Sequence, residues 1–244
     1  MVVETSHKDL AAIQVEYDQL YREAPIRDED RAYAWIAQQL LKNARDAGSI
    51  LDVACGGGYF LRELRRVYGT GVSLTGIDLS NEALALARKE CPAAVYQLSP
   101  AETMPLGAGT FDAVTCLGSL EHFLSIEQAL SEIKRVLRTN GIFLVMVPNI
   151  CWYQDILSVL WTKNRKSRNQ THELFASHGE WKKMLEIAGF EVVRSLKYNG
   201  IARNTWKQLL KDLLIPERFS YHFIYLCRPR QITRIAYYGE LSFQ

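Results

Sequence analysis

No two cysteines in this chain are spaced for a metal or a redox pair. Cys55, Cys91, Cys116, Cys151 and Cys227 are scattered, odd in number and without a C-x-x-C. Neither a zinc site nor a disulfide framework is indicated, and the five read as small buried hydrophobes in a reducing compartment. No apolar run approaches the roughly 20 residues that would span a bilayer. The N-terminus is polar through Asp9 and carries no signal-peptide pattern, so the expected location is cytoplasmic. Internal repeats, low-complexity tracts and linkers are also missing. A large excess of either charge sign is likewise absent: the formal net charge is +2, which excludes a polyanion binder working by bulk electrostatics. It is unevenly spread. From Leu160 onward 15 Lys and Arg face 7 Asp and Glu, a net +8, while the first 159 residues carry 14 against 20, a net −6. A basic C-terminal third suits an anionic substrate or surface, and a solvated basic face accounts for it equally.

What the chain does have is one highly organised stretch, Ser49-Ile50-Leu51-Asp52-Val53-Ala54-Cys55-Gly56-Gly57-Gly58-Tyr59-Phe60-Leu61. Its apolar start reads as a short buried strand, the three glycines as a turn, and Tyr59 to Val67 as a helix. Strand, glycine turn and helix is an arrangement that holds nucleotide-like ligands. Glycine lets the backbone bend and approach the ligand, and the helix N-terminus presents free N–H groups. A dinucleotide fingerprint G-x-G-x-x-G fits poorly, because Leu61 stands where its third glycine belongs. In its place stands Asp52-x-x-Cys55-Gly56-x-Gly58, followed twenty residues after Gly58 by Asp78 in Gly76-Ile77-Asp78-Leu79-Ser80.

These residues resemble the S-adenosylmethionine pocket of class I methyltransferases, where D-x-G-C-G-x-G holds the methionine end and an acid ending the next strand takes the ribose hydroxyls. The resemblance covers Ser49 to Val193 and implies S-adenosylmethionine as cofactor. Ala54 stands where many members have the first glycine and adds one methyl group. The implied fold is α/β: a Rossmann-like, seven-stranded, mostly parallel sheet with an antiparallel edge strand, helices on both faces and an N-terminal helical lid. Residues 1–48 would form the lid, 49–228 the cofactor-binding domain with a substrate-cap insertion at 148–176, and 229–244 an unassigned tail.

The remaining pattern agrees with that order of elements. Helices are predicted over His7 to Glu23 and Asp28 to Ala47, from apolar residues at helical spacing. Strands follow at Ser73 to Ile77, Ala94 to Leu98, Phe111 to Leu117 and Ile142 to Val147. Between them lie helices over Asn81 to Glu90, opened by Ser80, and Ile126 to Arg138, capped by Asn140-Gly141. Further on come a helix over Ser177 to Ala188, a strand over Phe190 to Leu196, an amphipathic piece over Asn204 to Leu214, and a seventh strand over Phe219 to Cys227.

The resemblance also implies roles. Asp52 orders the glycine turn or accepts from the methionine ammonium, Gly56 and Gly58 pass beside the ligand, and Asp78 offers two oxygens to the ribose. Ala54, Leu79, Ala101, Glu102 and Leu117 complete the expected cofactor set. The adenine side departs from the family. Pro100 replaces the acid that takes the adenine amine and has no N–H of its own, leaving Ala101 N–H, Ser99 and Glu102 as substitutes. Glu121-His122 resembles the Glu-His pair of ubiquinone-biosynthesis O-methyltransferases, in which E-x-x-E-H has been linked to a divalent metal. Gly118 occupies the first of those positions, so no metal is expected. His122 is the candidate general base and Glu121 its companion; a loop-orienting role for both stays open. His172 is a second base candidate, with a structural role as its alternative. Tyr17 and Tyr21, one helical turn apart, either present phenols to the pocket or pack the first helix. Trp152 opens an insertion that is first aromatic and then basic, at Lys163, Arg165, Lys166 and Arg168. That composition fits an amphipathic or anionic acceptor, a membrane-surface contact, or a plain helical cap.

The resulting expectation is methyl transfer to a small-molecule acceptor, with oxygen preferred over nitrogen or carbon because of Glu121-His122. A non-catalytic cofactor-binding module is the reading from another class. Nucleic acid is not the expected partner: Leu117-Gly118-Ser119-Leu120 lacks the [DNS]-P-P-[YFW] run of base methyltransferases. The oligomeric state is not legible.

Overall fold

A computed structural model describes residues 10–24, 30–151, 176–199, 213–214 and 216–231. The expected roles of Trp152, His172, the Asn204 to Leu214 piece up to residue 212, and the tail from residue 232 lie outside the described residues.

The elements are α1 (Leu10–Glu23), α2 (Asp30–Asn43), β1 (Ser49–Val53), α3 (Tyr59–Tyr68), β2 (Ser73–Asp78), α4 (Asn81–Glu90), β3 (Val95–Leu98) and β4 (Phe111–Leu117). They continue with a 3-10 turn (Leu120–His122), α5 (Ile126–Val136), β5 (Leu137–Pro148), α6 (His178–Ile187), β6 (Phe190–Tyr198), a 3-10 turn (Glu217–Phe219) and β7 (His222–Pro229). One seven-stranded sheet runs in the order β3-β2-β1-β4-β5-β7-β6. All neighbours pair in parallel except at β7, which lies antiparallel between β5 and β6.

Period-two alternation assigns the side chains of each strand to two apolar layers. Leu51 and Val53 of β1, with Phe143, Val145 and Val147 of β5, face α5 and α6, where Leu130, Ile133, Trp181 and Leu185 meet them. Ile50, Leu144 and Met146 point the other way, onto Ile36 and Leu40 of α2 and Leu61 and Leu64 of α3. Both faces are thus covered, as a parallel sheet requires. Strand order reverses between β1 and β4, and a crevice opens beyond the carboxyl ends of those strands.

Several boundaries differ from the pattern reading. Helix α5 stops at Val136, and β5 begins at Leu137 rather than Ile142. Leu137 pairs with Phe111, and Arg138 forms an ion pair with Asp112, so the chain turns extended as soon as it reaches its neighbour strand. Asn140-Gly141 therefore lies within the strand and caps nothing. Gly141 is glycine because an added Cβ would lie 2.6 Å from the Leu137 side chain. Helix α2 ends at Asn43, whose side chain donates to the Gln39 carbonyl at 2.8 Å, and not at Ala47. β6 runs on to Tyr198, and β7 starts at His222, because Glu217–Phe219 form a 3-10 turn closed by the Ser220 hydroxyl on the Glu217 carbonyl.

Candidate functional site

The crevice at the β1/β4 reversal is a pocket whose floor is the glycine turn. β1 delivers Asp52 and Val53 into the core, after which the chain leaves the sheet through three left-handed residues: Ala54 (φ 55°), Gly56 (φ 52°) and Gly58 (φ 76°). Glycine occupies that region without penalty, whereas alanine is strained there. Ala54 is thus a backbone departure from the family pattern and not only an added methyl. The turn is held by Cys55 N–H on the Ile77 carbonyl at 2.9 Å and Gly58 N–H on the Cys55 carbonyl at 3.0 Å. Packing explains the other glycines. An added Cβ would lie 2.9 Å from the Leu86 side chain at Gly57, 2.9 Å from the Ala87 backbone at Gly58, and 2.7 Å from Cys55 Sγ at Gly76. Gly58 caps α3 without a side-chain acceptor and, unlike Gly56 and Gly57, does not itself line the pocket.

Two buried carboxylates flank the turn. Asp52 stands opposite Thr115 across β1 and β4, and the threonine hydroxyl donates to its Oδ1 at 2.6 Å. Burial, the largest influence, raises the Asp52 pKa from 3.8 to about 7; the Thr115 hydrogen bond lowers it and the charge of Asp78 adds to the rise. Asp78 ends β2 and accepts from Gly56 N–H through Oδ2 at 2.8 Å and from Ser80 N–H through Oδ1 at 2.9 Å. Burial raises its pKa too, opposed by the backbone donors of Ser80, Gly56 and Leu79.

The adenine-side loop hangs from the same strand end, since Ser99 N–H donates to the Asp78 carbonyl at 3.0 Å. Ser99 is buried, and its hydroxyl proton is directed to the Pro100 and Thr103 carbonyls at 2.9 and 3.2 Å. Its oxygen can therefore still accept. Glu102 accepts from Ser125 N–H at 3.4 Å, which turns it toward the start of α5. Leu79, Pro100, Ala101 and Glu102 all line the pocket, as do Ala54, Gly56 and Leu117.

Opposite the turn lie Gly118, Ser119, His122, Phe123 and Leu124, and above it the α1 residues Leu10, Ile13, Tyr17 and Tyr21. Tyr21 is placed so that its phenol oxygen would lie 2.4 Å from a Cβ added to Gly56, and burial pushes its pKa far above the usual range. Tyr17 and Tyr21 thus face the pocket. Tyr33 of α2 also lines it beside Phe60, with ring centroids 6.0 Å apart. His122 faces the cavity from its 3-10 turn. Glu121 does not: it is buried beneath the turn, its Oε1 3.9 Å from His122 Nε2. Near the expected position of a second base, α6 opens on His178, whose Nε2 lies 2.9 Å from Ser195 Oγ outside the pocket.

Some of this the pattern reading missed. Thr115 had a signal, a polar residue between Val114 and Cys116 in the apolar part of the strand Phe-Asp-Ala-Val-Thr-Cys-Leu. Asp18, which accepts from Ser80 Oγ at 2.6 Å, had none, because its partner lies 62 residues away.

The pocket suits S-adenosylmethionine. Three carboxylates, Asp52, Asp78 and Glu102, and no Lys or Arg line it among the described residues, which favours a ligand carrying a sulfonium and an ammonium. The sheet order and the glycine turn at its reversal point define a class I methyltransferase fold. Residues 51–145 match the family model for the methyltransferase domain. The chain is 33% identical over 118 residues to a ubiquinone/menaquinone biosynthesis C-methyltransferase (UbiE) of Geotalea daltonii, covering 46% of this chain and 50% of that protein. It thus spans about half the length of that relative. A putative methyltransferase of Bacillus halodurans aligns with a TM-score of 0.59 at 22% identity, over 80% of this chain and 99% of that one. The [4+2]-cyclase SpnF aligns with a TM-score of 0.65 at 18% identity, over 91% and 97%. These structural likenesses establish the fold, and the cyclase illustrates that the fold alone does not fix the chemistry. No helix among the described residues is long and apolar enough to cross a membrane.

Proposed function

We propose that the chain is an enzyme that transfers the methyl group of S-adenosylmethionine to a small, largely apolar acceptor held between the Leu117–Leu124 segment and α1. The observation that carries this reading is the acidic cradle, in which Asp52 and Asp78 flank a turn whose glycines leave the backbone open to the ligand. Bound there, the cofactor supplies a methyl group already activated by its sulfonium. Asp52 would meet the ammonium and Asp78 the ribose hydroxyls. Ala101 N–H and Ser99 Oγ are the groups left for adenine once Pro100 has removed the acid. Leu10, Ile13, Phe123 and Leu124 screen the acceptor from water, and His122 is placed to take up its proton. Trp152 and the aromatic start of the insertion remain proposed as acceptor contacts, and the basic residues after it as contacts for an anionic group.

The acceptor atom we propose is carbon. The relative from Geotalea daltonii is named for C-methylation in ubiquinone and menaquinone biosynthesis, and an oxygen preference has no support in that comparison. A hydroxylated, quinol-like ring would use His122 to remove a ring-hydroxyl proton and so enrich the carbon beside it. Incubation with methyl-labelled S-adenosylmethionine and a panel of quinols, catechols and amines tests this. Label on a ring carbon is the expected result. Label on oxygen or nitrogen would reassign the acceptor atom, and binding without transfer to any acceptor would point to a non-catalytic module.

A further inference from the structure

Helix α1 covers the pocket with Ile13, Tyr17 and Tyr21 half-buried and no residue fully buried. Polar contacts with α4 add to this apolar packing and fix where the helix lies. Asp18 Oδ1 accepts from the Ser80 hydroxyl at 2.6 Å and from Glu82 N–H at 3.2 Å. Arg22 Nε donates to Glu82 Oε1 at 2.9 Å, but that pair is exposed on both sides and contributes little. Asp18 is the stronger anchor, a charged acceptor at the positive end of a ten-residue helix.

Ser80 is fully buried and belongs to both systems. Its hydroxyl donates to Asp18 and accepts from Ala83 N–H at 3.1 Å, while its own N–H donates to Asp78 Oδ1 at 2.9 Å. The other oxygen of Asp78 holds Gly56 N–H, and the Tyr21 phenol, one helical turn beyond Asp18, rests against that same glycine. The path from α1 through Ser80 and Asp78 to the glycine turn thus returns to α1.

Building on the proposed cofactor site, we infer that Asp18 is a positioning residue for the cofactor: through Ser80 it couples docking of α1 to occupation of the Asp78 carboxylate. Ligand contacts at Asp78 and closure of Tyr17 and Tyr21 over the pocket then reinforce one another. Linkage makes the effect reciprocal, so cofactor binding protects α1 by the factor by which docked α1 tightens cofactor binding.

The test compares wild type, Asp18→Ala and Asp18→Asn by calorimetric titration with S-adenosylmethionine and by amide hydrogen exchange over residues 10–23. Asp18→Ala should weaken binding about tenfold, the scale of one charge-assisted hydrogen bond, and should lose the protection that cofactor gives to α1. Asp18→Asn keeps an acceptor oxygen and should stay within about threefold of wild type. Asp18→Ala removes the acceptor of a buried hydroxyl and should lower the cofactor-free melting temperature by a few degrees, whereas Asp18→Asn should stay near wild type. Unchanged affinity in Asp18→Ala, or cofactor-induced protection of α1 that survives the substitution, overturns the inference. A loss of affinity accompanied by faster cofactor-free exchange throughout the core strands, and not in α1 alone, assigns Asp18 a purely structural role and overturns it as well. If wild type itself binds no S-adenosylmethionine, the cofactor reading fails instead.

Discussion

Thr115 donates to Asp52 at 2.6 Å between two neighbouring strands, and both side chains are buried. The hydrogen bond favours the ionised carboxylate, but burial outweighs it, so Asp52 has a pKa of about 7 against an ordinary 3.8. A carboxyl group whose folded pKa is raised contributes most to stability when it is protonated in both states. That contribution is full below about pH 4 and is lost as the pH climbs toward 7. The melting temperature of the ligand-free protein should therefore fall across this window more steeply than that of Asp52→Asn.

The same titration should govern cofactor affinity in the opposite direction. In the proposed contact between Asp52 and the cofactor's ammonium the carboxylate is ionised, so binding below pH 7 would expel its proton. Affinity for S-adenosylmethionine should be about tenfold lower at pH 6 than at pH 8, with about one proton released at pH 6. Calorimetry in buffers of different ionisation enthalpy measures that proton. Asp52→Asn should bind more weakly and release none from this site.

Ala54 is the one described non-glycine residue at positive φ. Ala54→Gly relieves left-handed strain of about 1–2 kcal/mol and gives back about 0.4–1 kcal/mol through the freer unfolded chain. Denaturant unfolding should show a net gain of about 0.5–1 kcal/mol. Gly58→Ala should act the other way, by about 2–4 kcal/mol. It combines strain at φ 76° with a Cβ placed 2.9 Å from the Ala87 backbone.

His122→Ala should lower turnover by about 10²–10⁴-fold while S-adenosylmethionine affinity stays near that of wild type, as expected for loss of a general base. Full activity in this variant would place the proton acceptor elsewhere or show that none is needed. Glu121→Gln, a change beneath the turn, should have the smaller effect on rate.

The strand, turn and helix from Ser49 to Tyr68 were legible because each residue type there has a local reason: apolar alternation, glycine at positive φ, and an acid at a strand end. Asp78 was legible by its distance from Gly58. The start of β5 was not, since Leu137 to Gly141 resemble the end of a helix and become strand only by pairing with Phe111. Nor was the burial of Glu121, because consecutive residues of a 3-10 turn point in different directions and no pattern tells which one meets the cavity. The contact between Asp18 and Ser80 depends wholly on how α1 lies across α4 and leaves no trace in either segment.

In the proposed site, S-adenosylmethionine is held in the pocket through Asp78. Calorimetric titration of the cofactor into wild type and Asp78→Ala at pH 7.5 tests this most directly. Wild type should bind one equivalent, and the variant should bind about 10–100-fold more weakly, the scale of lost charge-assisted hydrogen bonds. No binding by wild type, or equal affinity in the two proteins, would contradict the account.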